Sequence, residues 1–283
     1  MRIAGLVILY RPNISILENI KTYLPFLDKL IVFDNTELAD KYLHNVLLSL
    51  EKITLVHDCE NRGIAKRLNE GVNMCIKENF SWLLTMDQDS FFEGLMFSDY
   101  LNCLKLLKDN YIVAMTGIEY EKVPAKIGCD YQTTQQLITS GSIINVEAYK
   151  TIGGFDEALF IDDVDTDYCY NAIKSGFQII KFTNIFLNHS LGNVSYHKSL
   201  KTFKTSSRTL HSPVRLYYMV RNFFYINEKF PQHIFKEERK RRKKDLIHRI
   251  KNNFLYGTDK LTLLRFVILG WWDFRRKRMG KKI

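Results

Sequence analysis

The first hundred residues alternate short apolar runs with amphipathic patterns of helical period, and this alternation constrains the fold more than any other feature. Near-continuous apolar strands joined by helices of this length are typical of right-handed βαβ crossovers, which build a mostly parallel sheet with helices on both faces. The sequence therefore predicts an α/β fold. The predicted elements are strands Ile3–Tyr10, Leu30–Phe33, Ile53–His57 and Trp82–Met86 and helices near Asn13–Leu24, Ala39–Leu50 and Ile64–Glu78.

The remainder of the chain has shorter strands and then a long helical region. A helix of about Asp163–Ser175 is expected to stop at Gly176, and from Ser212 onward the pattern is helical with few breaks. Further strands are predicted at Tyr111–Thr116, Leu137–Asn145, Phe177–Phe182 and Ile185–His189.

Several common site motifs are absent from the sequence. Neither G-x-G-x-x-G nor G-x-x-x-x-G-K-[ST] occurs, which argues against dinucleotide and P-loop sites. The 5 cysteines include no C-x-x-C pair, so we expect reduced, mostly buried thiols. The short N-terminal apolar run ends at Arg11 and Pro12 and has neither the length of a membrane span nor a signal-peptide cleavage site, which favours a cytoplasmic protein.

Acidic residues follow three of the first four predicted strands. Because the carboxyl ends of parallel strands form the ligand edge of an open sheet, we expect these residues near a bound ligand. Asp87 and Asp89 stand at i and i+2 directly after a strand, so their side chains point the same way on an extended backbone. Two hard oxygen ligands suit Mg²⁺ or Mn²⁺ bridging a diphosphate, and an ordinary acidic turn is the alternative.

A second acidic cluster, Asp162, Asp163, Asp165 and Asp167, stands where a predicted helix begins. Acids at a helix N-terminus are favoured by about 0.3–1 kcal/mol each, so capping explains part of the run. Crowded like charges raise one another's pKa while the helix end lowers it, and this balance suits a carboxylate that accepts a proton near neutral pH. The cluster indicates a general base, with capping as the alternative.

Several motifs occur in the order found in one enzyme family. Through them the chain resembles the inverting glycosyltransferases of family 2 with a GT-A fold, and within that family the rhamnosyltransferase-like branch. The matches cover about residues 1–225 and comprise Tyr10, Asp34-Asn35, Asn61-Arg62-Gly63, Asp87-Gln88-Asp89-Ser90, Gly153-Gly154-Phe155-Asp156-Glu157, Ile161-Asp162-x-Val164-Asp165, Asn188-His189-x-x-Gly192 and Tyr217-Tyr218-x-x-Arg221-Asn222.

The resemblance implies nucleotide-sugar-binding roles for five residues. Tyr10 and Asp34 would hold the base and ribose, and Asp87 would face the ribose and the metal region. Asn61 would shape a loop near the donor. Arg221 would contact the diphosphate, with a structural ion pair as the alternative.

The same resemblance implies a metal site and a base. Asp89, together with Asp87, would ligate Mg²⁺ or Mn²⁺, and His189 would be a further ligand of the metal or the diphosphate, with a packed histidine as the alternative. Asp162 and Asp163 both match the acidic position that the family uses as its base. We place Asp162 ahead of Asp163.

The family's activity implies a specific function for the chain. Such an enzyme moves a sugar, in this branch L-rhamnose from dTDP-rhamnose, to a hydroxyl of a growing, lipid-linked surface glycan with inversion. A UDP-hexose donor is one alternative. A non-catalytic nucleotide-sugar-binding or assembly protein is another.

The net charge of +10 is concentrated at one end of the chain. It divides into −2 for residues 1–230 and +12 for residues 231–283, which predicts a catalytic domain over 1–230 and a basic, amphipathic helical tail over 231–283. Basic clusters beside Trp and Leu fit an anionic membrane surface, hence a peripheral protein at the inner face of the cell membrane. The alternative is a solvated face or a homodimer contact, and the acidic ligand edge argues against nucleic acid.

Overall fold

The computed structural model describes residues 2–107, 112–120, 128–189, 194–198, 205–230, 233 and 235–282. The chain divides into two compact units. Unit 1 comprises Met1–Phe160 and Val164–His189, and unit 2 comprises Ile161–Asp163 and Ser190–Ile283. The segment Ile161–Asp163 of the acidic cluster region thus belongs to unit 2. The division into a catalytic domain over 1–230 and a basic tail over 231–283 stays a prediction.

Unit 1 is built on an eight-stranded sheet with the order β3-β2-β1-β4-β8-β6-β9-β7. The neighbours β3, β2, β1 and β4 are all parallel, whereas β8 runs antiparallel to both β4 and β6. The predicted mostly parallel α/β sheet is confirmed. The strands are β1 Ile3–Leu9, β2 Lys29–Asp34, β3 Ile53–His57, β4 Trp82–Asp87, β5 Ser90–Phe91, β6 Val113–Glu119, β7 Tyr131–Thr133, β8 Ser142–Asn145, β9 Gln178–Phe186 and β10 Asn188–His189.

Six α-helices accompany these strands within the described part of unit 1. The central strands β1, β4 and β6 are buried at nearly every position, as expected for a sheet covered on both faces. Asp40 and Asn145 cap two of the helices, each by accepting two backbone N–H groups. The helices are α1 Ile16–Lys21, α2 Lys41–Ser49, α3 Ile64–Lys77, α4 Met96–Leu106, α5 Val146–Ile152 and α6 Val164–Lys174, with short 3₁₀ turns at Leu24–Phe26 and Glu157–Leu159.

Unit 2 is mainly helical, as the sequence predicts. Its elements are the antiparallel pair β11 Val194–Lys198 and β12 Thr205–Thr209, then α7 Pro213–Lys229, α8 Lys236–Tyr256 and α9 Lys260–Arg275. Helix α9 approaches α7 closely at Gly270, where a Cβ would stand 2.6 Å from the carbonyl oxygen of Tyr217. The Tyr217 hydroxyl also donates to Asp273 over 2.8 Å. These contacts place α7 with the basic tail, and none of the helices in the described ranges is long and apolar enough to cross a bilayer.

The register of the parallel strands places the predicted ligand edge. Asp34 lies beside Leu9, the last residue of β1, and Asp87 lies beside Ile8. His57, the last residue of β3, lies beside Asp34. The carboxyl ends of four strands therefore meet along one edge.

One sequence prediction about the cysteines is wrong. Cys103 and Cys129 form a disulfide that joins α4 to the segment preceding β7. The other three are free thiols, of which Cys59 is exposed and Cys75 and Cys169 are buried. The partners are 26 residues apart, and no local pattern marks the pair, because their proximity depends on packing.

Candidate active site

The Asp87-Gln88-Asp89 turn is tied to the end of β1. Tyr10 N donates to Gln88 Oε1 at 2.9 Å, and Gln88 Nε2 donates to Tyr10 O at 3.2 Å. Asn19 Nδ2 donates to Gln88 O at 2.8 Å. The Tyr10 residue is 40% exposed, so its ring is accessible at this edge. The turn thus presents two carboxylates on a backbone that is fixed through its central residue.

Asp34 is only 1% exposed and is held by neighbours. Its Oδ1 accepts from Thr36 N at 2.9 Å, and its Oδ2 lies 2.7 Å from His44 Nε2. His57 Nε2 lies 2.8 Å from Thr36 O, and the two histidine rings pack edge to face. The carboxylate is therefore oriented by α2 and β3, and its contact with a nucleoside stays a prediction.

A buried guanidinium organises the loop between β3 and α3. Arg67 is 1% exposed, and it donates to Asn35 Oδ1 at 2.7 Å, Asp58 Oδ1 at 2.5 Å and Glu70 Oε2 at 2.7 Å. Burial raises the pKa of Asp58, but the hydrogen bond and charge of Arg67, with the charge of Arg62, outweigh burial and lower this pKa below 3.8. Arg67 therefore acts as a structural hub.

The loop that carries Asn61 packs against Phe160. Asn61 Oδ1 accepts from Gly63 N at 3.0 Å, and Gly63 has a φ of +80°. A Cβ at Gly63 would stand 2.5 Å from the Phe160 ring and 2.7 Å from its carbonyl oxygen. Ile64 N donates to that oxygen at 2.7 Å. The Asn61 loop is thus shaped around the residue that precedes the Ile161–Asp163 segment.

Within unit 2, the two acids that the sequence leaves equivalent have different surroundings. Asp163 Oδ1 lies 2.8 Å from Nη2 of the buried Arg242. Asp162 Oδ1 accepts from Nε and Nη2 of Arg215 at 3.4 and 3.3 Å, while its Oδ2 is buried and has no hydrogen-bond partner among the described residues. Asp162 therefore has one carboxylate oxygen that accepts no hydrogen bond from the described residues, whereas the described contact of Asp163 is with Arg242.

Burial raises the pKa of Asp162 above 3.8. The charge of Arg215 opposes this rise, the charge of Asp163 adds to it, and the hydrogen bond from Arg215 and the charge of Arg249 oppose it further. The carboxylate is thus a stronger proton acceptor than an exposed aspartate.

Comparison with known proteins identifies the class of enzyme. No protein-family model matches the chain. Over 248 residues it is 27% identical to the dTDP-rhamnosyl transferase RfbF of Shigella flexneri, covering 80% of both chains. Residues 1–349 of S. aureus TarS, solved in complex with UDP-GlcNAc, superpose with a TM-score of 0.55 at 15% identity and cover 97% of this chain and 80% of that one. The chain is a glycosyltransferase with a GT-A fold.

Two larger solved structures share the fold of this glycosyltransferase. The longer TarS chain from S. aureus gives a TM-score of 0.57 at 15% identity, covering 98% of this chain and 49% of that chain. The structure of GalNAc-T7 with UDP, GalNAc and Mn²⁺ gives a TM-score of 0.54 at 10% identity. This match covers 66% of this chain and 43% of the GalNAc-T7 chain. The glycosyltransferase thus spans less than half of these two chains. The predicted resemblance to the GT-A fold and to the rhamnosyltransferase-like branch is confirmed, and the non-catalytic alternative is disfavoured.

The glycosyltransferase has oxygen ligands suited to Mg²⁺ or Mn²⁺ in Asp87 and Asp89. Among the described residues no group of three or more His, Cys, Asp and Glu side chains forms a complete metal cluster. The backbone of His189 pairs with Ser90, directly after Asp89. The His189 side chain lies outside the described part of the structure, so its role as a ligand stays a prediction.

Arg221 is buried in unit 2 and occupied by packing contacts. Its Nη1 donates to Gly280 O at 2.7 Å and its Nε donates to Asn222 Oδ1 at 3.0 Å. The guanidinium also lies over the rings of Tyr217 and Tyr218. These contacts hold the C-terminal residues against α7, and the predicted contact with the diphosphate stays a prediction.

Three residues beside the candidate groups carry no signal in the sequence. His44 is one polar residue of an amphipathic helix, and Arg215 follows an ordinary capped start at Ser212. Arg242 belongs to the basic run 236–244, whose other members are exposed or half-buried. Only tertiary packing distinguishes Arg242 from the basic residues on either side.

Proposed function

We propose that this glycosyltransferase moves L-rhamnose from dTDP-rhamnose to a hydroxyl of a growing, lipid-linked surface glycan with inversion at the anomeric carbon. The proposed donor is supported by the similarity to the dTDP-rhamnosyl transferase RfbF across 80% of both chains. A UDP-hexose is the second candidate donor, because TarS shares the fold and was solved with UDP-GlcNAc.

In this proposal the strand-end residues bind the donor. Tyr10 and Asp34 contact the nucleoside, while Asp87 and Asp89 hold Mg²⁺ or Mn²⁺ with His189 as a further ligand. The metal, when bound, neutralises charge that develops on the nucleoside diphosphate leaving group. The Mn²⁺ in the GalNAc-T7 structure supports a divalent ion in this fold. The pairing of Gln88 with the end of β1 keeps both carboxylates in place.

In the same proposal Asp162 is the general base. Its Oδ2 takes the proton of the acceptor hydroxyl as that oxygen bonds to the anomeric carbon. The bond from the anomeric carbon to the diphosphate oxygen breaks on the opposite side, so the configuration inverts. The raised pKa of Asp162 supports this role, and Arg215 contacts only the other carboxylate oxygen.

A thermal-shift titration tests the donor and the metal together. Nucleoside diphosphates and nucleotide-sugars of the thymidine and uridine series are titrated with and without Mg²⁺ or Mn²⁺. We expect thymidine nucleotides with metal to raise the Tm by about 5 °C when the ligand is at about 100 times its Kd. The Asp89→Asn variant is expected to lose the part of the shift that depends on metal.

The control for this titration is Asp99→Asn on α4, an exposed acid that is not among the predicted donor or metal residues. It should keep the wild-type shift. A preference for uridine nucleotides would replace the proposed donor by a UDP-sugar. No shift with any nucleotide would contradict donor binding as a whole.

We propose further that α9 rests on an anionic membrane surface. Its exposed apolar residues repeat at helical spacing, so they lie along one face. Exposed basic residues continue from the helix into residues 275–278, and cationic groups beside apolar side chains complement anionic headgroups. The apolar face comprises Leu261, Leu264, Ile268, Trp271 and Trp272.

Vesicle co-sedimentation of the full chain tests this surface. The double variant Leu264→Gln/Ile268→Gln is expected to bind vesicles containing phosphatidylglycerol at least about tenfold more weakly, because two exposed apolar side chains that would enter the lipid surface are lost. Added salt should weaken wild-type binding as well. The matched control is Leu38→Gln/Leu48→Gln, two exposed leucines of unit 1.

Equal partitioning of wild type and the α9 variant would contradict the membrane contact. If the wild-type chain dimerises in solution and the α9 variant is monomeric, this face is instead a homodimer contact. Sedimentation velocity without vesicles separates the two results.

A further inference from the structure

The segment that bears the proposed base has a backbone that needs support. Asp162 and Asp163 have φ angles of 61° and 62°, in the left-handed region. This conformation is unfavourable for a residue with a side chain, although aspartate adopts it more readily than most. Two successive residues of this kind persist only where surrounding contacts hold them.

Asn222 of α7 supplies one set of these contacts. Its side chain is fully buried, and its Nδ2 donates to Ile161 O at 2.7 Å and to Asp162 O at 2.8 Å. Arg221 Nε donates to Asn222 Oδ1, which fixes the orientation of the amide. A single amide nitrogen therefore uses both hydrogens on carbonyls of the segment.

Arg242 of α8 makes a further contact with the segment, at Asp163. It is 8% exposed, and its guanidinium lies 5.4 Å from the centre of the Phe223 ring. Its Nη2 is 2.8 Å from Asp163 Oδ1. Because the negative charge of Asp163 raises the pKa of Asp162, the cation of Arg242 beside Asp163 limits that effect.

We propose that Asn222 and Arg242 are positioning residues for the transfer reaction. Asn222 holds the backbone that presents Asp162, and Arg242 anchors and neutralises the neighbouring Asp163. The proposal rests on the proposed role of Asp162 as the base. It makes the basic helix α8 part of the machinery of transfer, in addition to any contact that the tail makes with a membrane.

The charged and titratable groups that face Asp162 are few enough for a pH profile to resolve this role. Among the described residues, the main ones are Arg215 and Tyr218 of α7, Asp163 of the same segment and Arg249 of α8. Burial, with the nearby charges of Arg249 and Arg215, lowers the pKa of His211 to about 4. His211 is therefore neutral near physiological pH and adds no charge there.

The test compares kcat, donor KM and the acidic limb of the pH profile in full-length variants. Arg242→Met is expected to lower kcat by about 10- to 100-fold with donor KM changed by less than about threefold, because the base is misplaced while the donor residues are intact. Its acidic limb should move to higher pH, since the unneutralised Asp163 raises the pKa of Asp162. Asn222→Ala should lower kcat by a similar factor.

Three further variants separate positioning from folding. Arg242→Lys keeps the charge and should recover part of kcat and the wild-type limb. The double variant Arg242→Met/Asp163→Asn removes both charges and should return the limb toward wild type. Lys243→Met removes a neighbouring exposed charge on α8 and should change neither quantity.

Unchanged kcat and an unmoved limb in Arg242→Met would overturn the proposal. A loss of activity without a shifted limb, and without recovery in Arg242→Lys, would also overturn it, because that pattern indicates a folding role alone. Asp162→Asn tests the base separately. Full activity there would refute the proposed function, whereas an inactive Asp162→Asn beside an unaffected Arg242→Met would refute positioning only.

Discussion

Replacing Asp162 by Asn is expected to lower kcat by about 100- to 10,000-fold, the range that positioned general bases contribute. Asn has nearly the same shape and keeps an oxygen for Arg215, which contacts Oδ1 in the structure. Donor binding should persist, since the donor residues lie at the strand ends. The measurement is nucleoside diphosphate release at saturating donor, together with the donor-induced thermal shift.

The pH dependence of wild-type activity provides a second readout of the same base. Only the ionised carboxylate accepts a proton, so kcat/KM should fall as the pH falls through the raised pKa of Asp162. The acidic limb should therefore lie above 3.8, the ordinary value for aspartate. Arg215→Met should move it to still higher pH, because the Arg215 cation lowers this pKa.

Asp163→Asn is the matched control for the base. Its carboxylate is paired with Arg242, so we expect a loss of no more than about tenfold in kcat, from disturbed positioning. It should also shift the acidic limb to lower pH, because the charge that raises the pKa of Asp162 is gone. An inactive Asp163→Asn beside an active Asp162→Asn would exchange the two roles.

The second large effect is on stability. Arg67→Met is expected to lower the free energy of unfolding by about 2 kcal/mol, because it removes the buried guanidinium that pairs with the partly exposed Asp58 and Glu70 and leaves only Arg62 beside them. Asn35 also loses its 2.7 Å hydrogen bond. Urea denaturation followed by circular dichroism measures the difference, and Lys77→Met, an exposed change on the same helix, is the control.

The lowered pKa of Asp58 determines how the stability difference between wild type and Arg67→Met changes with pH. Its pKa in the folded protein is lower than 3.8, so its pairing with Arg67 stabilises the fold above pH 3.8. That stabilisation is lost as the pH falls through the lowered folded value. The difference between wild type and Arg67→Met should therefore narrow below pH 3.8. Surface substitutions usually change the free energy of unfolding by less than about 0.5 kcal/mol. A difference that small between wild type and Arg67→Met near neutral pH would show that the contacts of Arg67 do not stabilise the fold.

The first four strands were predictable because each is a local apolar run bounded by polar residues. β3 has the predicted ends, Ile53 and His57, and β4 extends the prediction only to Asp87. Farther along the chain, pairing partners decided more. The predicted strand Leu137–Asn145 forms only as β8, Ser142–Asn145, because its ladder with β4 begins at Ser142.

Other elements left no apolar signature. β7 is exposed at all three positions, and β11 and β12 are polar segments that pair with each other. Conversely, two strands predicted over Phe177–Phe182 and Ile185–His189 form the continuous β9, Gln178–Phe186, followed by the short β10. Hydrogen bonding between strands, rather than side-chain pattern, sets these boundaries.

The candidate donor residues could be found from order along the chain. Tyr10, Asp34 and Asp87 each follow an apolar strand, and parallel pairing necessarily gathers such positions at one edge. The burial of Asp34 beside His44 could not be found in this way. That pair joins a strand end to a helix ten residues later, and nothing in the spacing selects His44 over another polar residue of α2.

The amino-acid order alone was enough to predict the α/β sheet, the acidic residues at the strand ends, the resemblance to glycosyltransferases and the basic tail, because periodicity, motif order and charge are local properties of the chain. The tertiary structure was needed to show the different surroundings of Asp162 and Asp163, the Cys103–Cys129 disulfide and the unit to which α7 belongs. Each depends on which distant groups become neighbours on folding. In the sequence Arg242 is one of many cations, and only the packing of the folded chain brings it beside Asp163.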